Sequence, residues 1–165
     1  MRTLFTILII SPWFFVPVTV CSQHNHSLSF RHLSIEEGLS QNTVNCILKD
    51  SRGFMWFGTN DGLNRWDGYD FTIYRYNAHD KKSIKGNKIY AITEDSYGMI
   101  WVGSRTGGLS CYDRQTDEFT SYLHDPNDSL SISSNFVSFI YEDRQKNLWV
   151  GTLGGGLNLF DRNSG

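Results

Sequence analysis

The sequence feature that most constrains the fold is a tryptophan followed two residues later by a glycine, which occurs three times. The copies are Trp56-Phe57-Gly58, Trp101-Val102-Gly103 and Trp149-Val150-Gly151. Their tryptophans lie 45 and 48 residues apart. Periods of about 20 to 50 residues are typical of proteins in which similar units are stacked side by side. The spacing therefore predicts a repeat architecture rather than one irregular core.

The repeat extends over most of each period. An aspartate lies six residues before each tryptophan, an asparagine lies fourteen before it, and a Gly-Leu pair follows it. The aspartates are Asp50, Asp95 and Asp143, the asparagines are Asn42, Asn87 and Asn135, and the pairs are Gly62-Leu63, Gly108-Leu109 and Gly156-Leu157. So many residue types in register over three copies indicate a true internal repeat.

Four short strands are predicted in each repeat, because apolar and polar residues alternate there. In the second copy they cover residues 89–94, 99–103, 109–112 and 119–123. Asp95-Ser96-Tyr97-Gly98 reads as the first turn, in which the aspartate bonds its own backbone and the glycine has positive φ. The third copy has Lys146-Asn147 where the glycine is expected, and we expect Asn147 to adopt the left-handed conformation there.

Four strands per unit of this length predict an all-β protein made of β-propeller blades, each with four antiparallel strands. The tryptophans are interpreted as packing residues wedged between neighbouring blades, where each would bury about 150–250 Å². The glycine after each tryptophan would allow close approach of the next blade. The alternative is that a tryptophan forms an aromatic platform for a sugar ring.

The amino terminus is predicted to be a signal peptide over residues 1–22, because Met1-Arg2 is basic and an apolar stretch follows. A retained membrane anchor and a lipidated Cys21 are alternatives. Residues 23–43 form an amino-terminal segment, in which 28–33 resemble a fourth strand and are expected to close a propeller ring.

The three repeats are assigned to residues 44–76, 89–123 and 137–161. Propellers have about four to eight blades, and the chain stops where the fourth strand of the third repeat is expected. We therefore expect the amino-terminal part of a longer, incomplete propeller. The alternative is a three-bladed ring closed by residues 28–33.

The composition excludes several kinds of function. A formal net charge of −2 and a pI near 6.2 argue against nucleic-acid binding by this segment. Cys46 and Cys111 have no zinc-site spacing, and either a disulfide between them or two free thiols is consistent with the sequence. No nucleophile elbow, phosphate-binding loop or HExxH motif is present. We therefore predict no catalytic residue, metal or cofactor in this chain.

The loops offer the candidate binding surface. The turn between the second and third strands and the link to the next blade open on the same face, and such loops often carry function. Polar residues there could bind a ligand such as a glycan, and the alternative explanation, which the sequence slightly favours, is that they belong to ordinary hydrophilic loops. The candidates are Asn60, Asp61, Arg65, Arg105 and Thr106.

Three motifs of the first repeat resemble the two-component regulator propeller repeat. They are Gly38-Leu39-Ser40-Gln41-Asn42, Asp50-Ser51-Arg52-Gly53-Phe54-Met55-Trp56 and Asp61-Gly62-Leu63-Asn64-Arg65-Trp66-Asp67. The resemblance covers about residues 28–165. It implies about three blades of an incomplete, seven-bladed propeller from the periplasmic sensor region of a hybrid two-component histidine kinase of a Bacteroidetes-type bacterium.

The same resemblance implies a function larger than this chain. Relatives of this kind detect oligosaccharides in the periplasm and regulate glycan-utilisation genes through kinase domains, whose motifs are absent from this sequence. The expected partners are an oligosaccharide, the remaining blades, the kinase portion of an inner-membrane receptor and a second copy in a homodimer. Two alternatives are a secreted sialidase-like or lyase-like propeller enzyme, suggested by the recurrent Asp-x-x-Gly-x-x-Trp turn, and a protein-binding scaffold.

Overall fold

Eleven strands make up almost all of the regular structure in the computed structural model, which describes residues 29–162. They are β1 (Val44–Lys49), β2 (Met55–Thr59), β3 (Gly62–Trp66), β4 (Phe71–Tyr74), β5 (Ile89–Glu94), β6 (Ile100–Ser104), β7 (Leu109–Asp113), β8 (Glu118–Tyr122), β9 (Val137–Glu142), β10 (Leu148–Thr152) and β11 (Gly156–Phe160), preceded by a short 3₁₀ helix, Ile35–Glu37. The predicted all-β fold is confirmed.

The strands form three antiparallel sheets, one for each repeat, in which sequence neighbours pair. We call β1–β4 the first blade, β5–β8 the second blade and β9–β11 the third blade. The first two have four strands, whereas the third has three among residues 29–162. Each sheet falls inside the range assigned to its repeat, and the prediction of four-stranded antiparallel blades is confirmed for the two complete sheets.

The residues before His32 form a separate unit from the blades, and its described part, residues 29–31, has no regular element. The predicted signal peptide, with the alternatives for Cys21, lies outside the described residues. Residues 29–33 of the predicted ring-closing strand contain no strand here, so ring closure by 28–33 stays a prediction. Between residues 29 and 162, no helix is long and apolar enough to cross a membrane.

The turn after the first strand of each blade has the predicted chemistry. In the second blade, Asp95 Oδ1 accepts main-chain hydrogen bonds from Tyr97 and Met99, both at 2.9 Å, and Gly98 has φ +80°. The third blade corrects one detail, because Lys146 rather than Asn147 has the positive φ, at +66°. Asn147 instead donates from its side chain to Asp143 at 2.9 Å, which ties the turn down without a glycine.

Two of the three tryptophans, Trp56 and Trp101, lie between blades, as predicted. Trp56 is fully buried against Ile89, Ile100 and Val102 of the second blade. The glycine beside Trp56 stands in a crowded place: a Cβ at Gly58 would meet Cys46 Sγ of its own blade and would lie 2.7 Å from the Ile89 side chain of the next blade. The close neighbours of Gly58 are therefore side chains, one from its own blade and one from the first strand of the next blade.

We call the contact between the first and second blades the first seam and that between the second and third blades the second seam. Trp101 repeats this arrangement at the second seam, where it is 3% exposed and packs with Val137 and Leu148 of the third blade. A Cβ at Gly103 would lie 2.5 Å from Val137 Cγ1. Since both seams are built in the same way, the wedge is a property of the repeat and not of one binding site.

An ionic bridge that the sequence analysis missed joins the first and second blades. Asp50 Oδ2 accepts a hydrogen bond from Trp56 Nε1 at 2.8 Å and another from Arg114 Nη1 at 2.9 Å. Arg114 Nη2 also pairs with Glu94 at 2.7 Å. The carboxylate of Glu94 in turn accepts the main-chain N–H of Ser51 at 2.7 Å. We call this set of contacts the interblade bridge.

The second seam has the same interblade bridge. Asp95 Oδ2 accepts from Trp101 Nε1 at 2.7 Å and from Arg162 Nη1 at 2.7 Å. Arg162 Nη2 pairs with Glu142 at 2.8 Å, and Glu142 accepts the main-chain N–H of Ser96 at 2.7 Å. One blade thus supplies the Asp–Trp pair and the next supplies the arginine and the glutamate.

The interblade bridge keeps its aspartates charged. Burial alone would raise the pKa of Asp50, but the hydrogen bonds from Trp56 and the Phe54 backbone and the charge of Arg114 outweigh it, so the pKa lies below its ordinary value of 3.8. The pKa of Asp95 is lowered in the same way by Trp101 and Arg162.

Replacing Arg114 with methionine is expected to destabilise the protein by about 3 kcal/mol, because it leaves the carboxylates of Asp50 and Glu94 desolvated without their cation. The free energy of unfolding from urea titrations measures this. Arg52→Met is the matched control, since Arg52 is exposed and its side chain has no partner among the described residues. A loss below about 1 kcal/mol for Arg114→Met would show that the bridge contributes little.

Stability is expected to fall in acid because of the two aspartates. Their folded pKa values lie below the unfolded value, so their contribution is present above about pH 4 and is lost as the pH falls through the folded pKa. Thermal unfolding between pH 7 and pH 3, compared with the Asp50→Asn/Asp95→Asn variant, isolates this contribution from other carboxylates. Parallel curves for the two proteins would contradict the assignment.

Candidate functional site

Four of the five predicted ligand residues lie together. Asn60, Asp61, Arg105 and Thr106 line one open cleft of about 640 Å³ between the first and second blades. We call it the seam cleft. Its other lining residues are Tyr76, Lys85, Gly86, Asn87 and Lys88. The turns β2–β3 and β6–β7 and the link 75–88 therefore meet there, as the loop prediction requires, while ligand binding by these residues stays a prediction.

Arg65, the fifth predicted residue, does not line the seam cleft. It lies on β3, where its guanidinium donates to the hydroxyl of Tyr112 at 3.1 Å and stands 5.3 Å from the centre of the Phe54 ring. Arg65 is thus held in an aromatic contact between the first and second blades. The sequence placed it near the other polar residues, but its strand carries it away from the turn.

Main-chain hydrogen bonds between blades build the floor of the seam cleft. Gly62 N donates to Asn87 O at 2.7 Å, and Arg105 N donates to Lys88 O at 2.9 Å. Gly107 approaches the link so closely that a Cβ there would lie 2.3 Å from the carbonyl carbon of Lys85. These contacts fix the two turns against the link, so the cleft is formed by the scaffold before any ligand arrives.

The link has a defined hydrogen-bonded structure. Ser83 Oγ accepts from Asn77 N at 3.0 Å and lies 2.7 Å from Asp80 O, while Asn87 Oδ1 accepts from Tyr76 N at 2.7 Å.

The second link repeats this structure. Ser131 Oγ accepts from Asp125 N at 2.9 Å, and Asn135 Oδ1 accepts from His124 N at 2.8 Å. The links are therefore part of the repeated scaffold, and only the side chains they display differ from seam to seam.

The charges in the seam cleft are unequally paired. Asp61 forms a salt bridge with Arg75 at 3.0 Å. Lys85 Nζ lies 2.8 Å from the carbonyl oxygen of Lys81. Within residues 29–162, the side chains of Lys88 and Arg105 have no carboxylate partner. The cleft can therefore offer hydrogen-bond donors and positive charge to a ligand.

A second cavity, of about 500 Å³, is explained by blade packing. It runs along the free edge of β11 and is lined by Tyr122, Val150 and Phe160 among others. Tyr122 corresponds to Tyr74 one blade earlier, whose ring packs on Phe119 of a fourth strand at 5.4 Å. The lining is therefore the surface that a fourth strand contacts in the other blades.

Within residues 29–162, Cys46 and Cys111 form no disulfide. Cys46 and Cys111 are free, and burial raises the pKa of each thiol to about 12. Such thiols are protonated at neutral pH and poor nucleophiles.

The recurrent aspartates on which the enzyme alternative depended have structural roles. Asp50, Asp95 and Asp143 each accept the indole N–H of their tryptophan and the main-chain N–H groups of their turn. Residues 29–162 hold no group of three His, Cys, Asp or Glu side chains placed to bind a metal.

These blades define the class of the protein: a β-propeller in which the two described seams share the same interblade bridge. Residues 38–61, 83–106 and 131–154 match the sequence profile of the family described as "Two component regulator propeller". A segment of each blade therefore matches the two component regulator propeller repeat, which confirms the resemblance seen in the sequence.

Known proteins share these repeats. The chain is 41% identical over 70 residues to Histidine kinase P4 of Formosa agariphila. These 70 residues are 42% of this chain and 5% of that protein. It is 35% identical, with a TM-score of 0.77, to an extracellular domain described as part of a hybrid two component system of B. thetaiotaomicron, over 82% of this chain and 19% of that one. A further extracellular domain of B. thetaiotaomicron is 28% identical, with a TM-score of 0.66, over 83% of this chain and 19% of that one. The chain thus spans a small part of each relative.

Adding a methyl group at Gly107 is expected to disturb the seam cleft. In Gly107→Ala the new Cβ meets the backbone of Lys85, which cannot rotate away, so we expect a loss of about 1–3 kcal/mol in the free energy of unfolding. Thr106→Ala, at the exposed neighbouring position, should change stability by less than about 0.5 kcal/mol. Equal effects of the two substitutions would show that the close approach at Gly107 does not constrain the cleft.

Proposed function

We propose that this chain is part of the periplasmic sensor of a hybrid two-component system, which detects oligosaccharides and regulates glycan-utilisation genes. The observation that carries the proposal is the match of three segments to the two component regulator propeller repeat. The likeness to extracellular domains of hybrid two component systems, at 35% and 28% identity, supports the same function. The catalytic step of signalling belongs to kinase domains outside this sequence.

The seam cleft is the proposed ligand site. Its support is the convergence of Asn60, Asp61, Arg105 and Thr106 from two different turns into one cleft. Hydrogen-bond donors and acceptors at fixed positions beside an aromatic side chain, here Tyr76, suit a polyhydroxylated ligand. The proposed site is built without Arg65, which lies on β3 with its guanidinium bonded to Tyr112.

The remaining blades of a longer propeller are the proposed partners of the third blade. Its outer face exposes 54% to 65% of four apolar side chains, which are Phe139, Tyr141, Leu157 and Leu159. One blade earlier, three of the four corresponding residues, Ala91, Leu109 and Cys111, are buried against a neighbour. Apolar patches of this kind mark interaction surfaces, and a further blade would bury this one as the third blade buries the second.

The same comparisons support a location outside the cytoplasm, since both solved relatives are described as extracellular domains. We place the sensor in the periplasm and the complete receptor in the inner membrane. The signal peptide predicted over residues 1–22 is the route of export in this proposal.

The proposal is tested by calorimetric titration of an oligosaccharide panel against the complete ectodomain that contains this chain, with reporter transcription measured in the host. We expect one glycan to bind and to induce a glycan-utilisation operon. Thr106→Ala, which removes one hydrogen-bonding group, should weaken that binding on the order of fivefold. Folding of the variant is checked by thermal unfolding.

Two results would contradict the proposal. Glycan-dependent transcription that persists after deletion of the three blades would show that these blades do not sense the glycan. Hydrolysis or elimination of a glycan by the purified ectodomain would support the enzyme alternative instead.

A further inference from the structure

We propose that the seam cleft recognises an acidic oligosaccharide through its negatively charged groups, which are the carboxylates of uronic acids or sulfate esters. The inference rests on the proposed function, because it names the chemical class of ligand for the same site. Its basis is the charge of the cleft and the way this charge differs from the rest of the repeat.

Three cations line the seam cleft, Lys85, Lys88 and Arg105. A hydrogen bond from Arg105 N to Lys88 O, at 2.9 Å, joins the main chains of two of them. The acidic residue of the lining, Asp61, is neutralised by Arg75 at 3.0 Å. The whole chain has a formal net charge of −2, so the cleft has a local charge opposite in sign to that of the chain.

The second seam shows that the scaffold does not require these cations. Leu153 N donates to Phe136 O at 2.8 Å, which repeats the bond between Arg105 and Lys88. The side chains nevertheless differ completely: Ser133, Phe136 and Leu153 replace Lys85, Lys88 and Arg105. Since the backbone contact repeats and the cations do not, the cations serve something particular to the first seam.

The uncharged lining suits a sugar. Tyr76 is 49% exposed and offers an apolar ring face, with Lys85 Nζ 5.8 Å from its centre. Asn87 uses its side-chain oxygen for Tyr76 N, so its two amide N–H donors remain for other partners. An aromatic face, amide donors and cations in one cleft match a sugar ring that carries hydroxyl and acidic groups.

Electrostatics favour an anion at this place. Neighbouring cations without a carboxylate partner repel each other, and a carboxylate or sulfate between them removes that repulsion while accepting charge-assisted hydrogen bonds. The guanidinium of Arg105 can bind such a group with two parallel hydrogen bonds. Because the cleft is open to solvent, this attraction should weaken as ionic strength rises.

The test is calorimetric titration of the complete ectodomain with two matched pairs of oligosaccharides. Tetragalacturonate is compared with its methyl ester, which keeps the sugar backbone without the charge, and a sulfated carrageenan tetrasaccharide is compared with its desulfated form. We expect one acidic member to bind about tenfold or more tightly than its neutral partner. The pair that shows the difference distinguishes a carboxylate ligand from a sulfate ligand.

The variant Lys88→Gln/Arg105→Gln should weaken binding of the acidic sugar about tenfold or more and reduce its dependence on salt. Lys49→Gln/Arg52→Gln is the matched control. It removes the same charge from exposed positions at the opposite end of the first blade, and should leave the affinity within about twofold.

Three results would overturn the inference. Equal affinity for acidic and neutral partners, with no effect of the cleft variant, would refute the charge preference and leave oligosaccharide sensing standing. Binding of an unrelated neutral glycan alone would have the same meaning. No binding of any glycan, together with no glycan-dependent transcription, would refute the proposed function as well.

Discussion

The structure depends on the acceptor that each buried tryptophan has for its indole N–H. The indole of Trp56 lies fully buried between two blades, and its N–H needs an acceptor there. Asp50 supplies the acceptor, but a buried carboxylate is stable only when its charge is balanced. The balancing cation, Arg114, comes from the next blade and is itself held by Glu94. One set of contacts therefore fixes the geometry of the turn, the position of the tryptophan and the spacing of the two blades, so the seam forms as a unit.

The contacts of the seam also hold the backbone of the seam cleft in place. The interblade bridge fixes the spacing of the first and second blades at one end, and the main-chain bonds of Gly62 and Arg105 fix it at the other. The backbone of the cleft is thus set by interactions that do not involve the ligand, and preorganised sites lose less entropy on binding. Side chains such as Lys88 can then vary between seams while the scaffold stays the same. At the second seam Phe136 takes the place of Lys88, and its carbonyl oxygen accepts the same main-chain hydrogen bond.

Periodicity was enough to predict the strands, the turns and the position of the tryptophans, because those features recur at fixed spacing. The bridge escaped notice because Lys49 and Gly68 occupy the glutamate and arginine positions in the first copy, so Arg114 and Glu94 did not stand out as repeated. The separation of Arg65 from the seam cleft could not be predicted for another reason: nearness in sequence to Asp61 says little when a strand carries a side chain away from its turn. The cation cluster depends on contacts between residues far apart in sequence, which spacing alone does not show.

The interblade bridge also separates the sequence repeat from the unit that is stable. Each bridge takes its Asp–Trp pair from one sheet and its arginine and glutamate from the following one, as Asp95 and Arg162 do. A segment cut at the borders of a sheet would therefore carry half of two bridges and the whole of none. The exchangeable module, in natural recombination or in design, runs from the centre of one blade to the centre of the next. A seam with its own ligand chemistry could be moved between propellers as such a module.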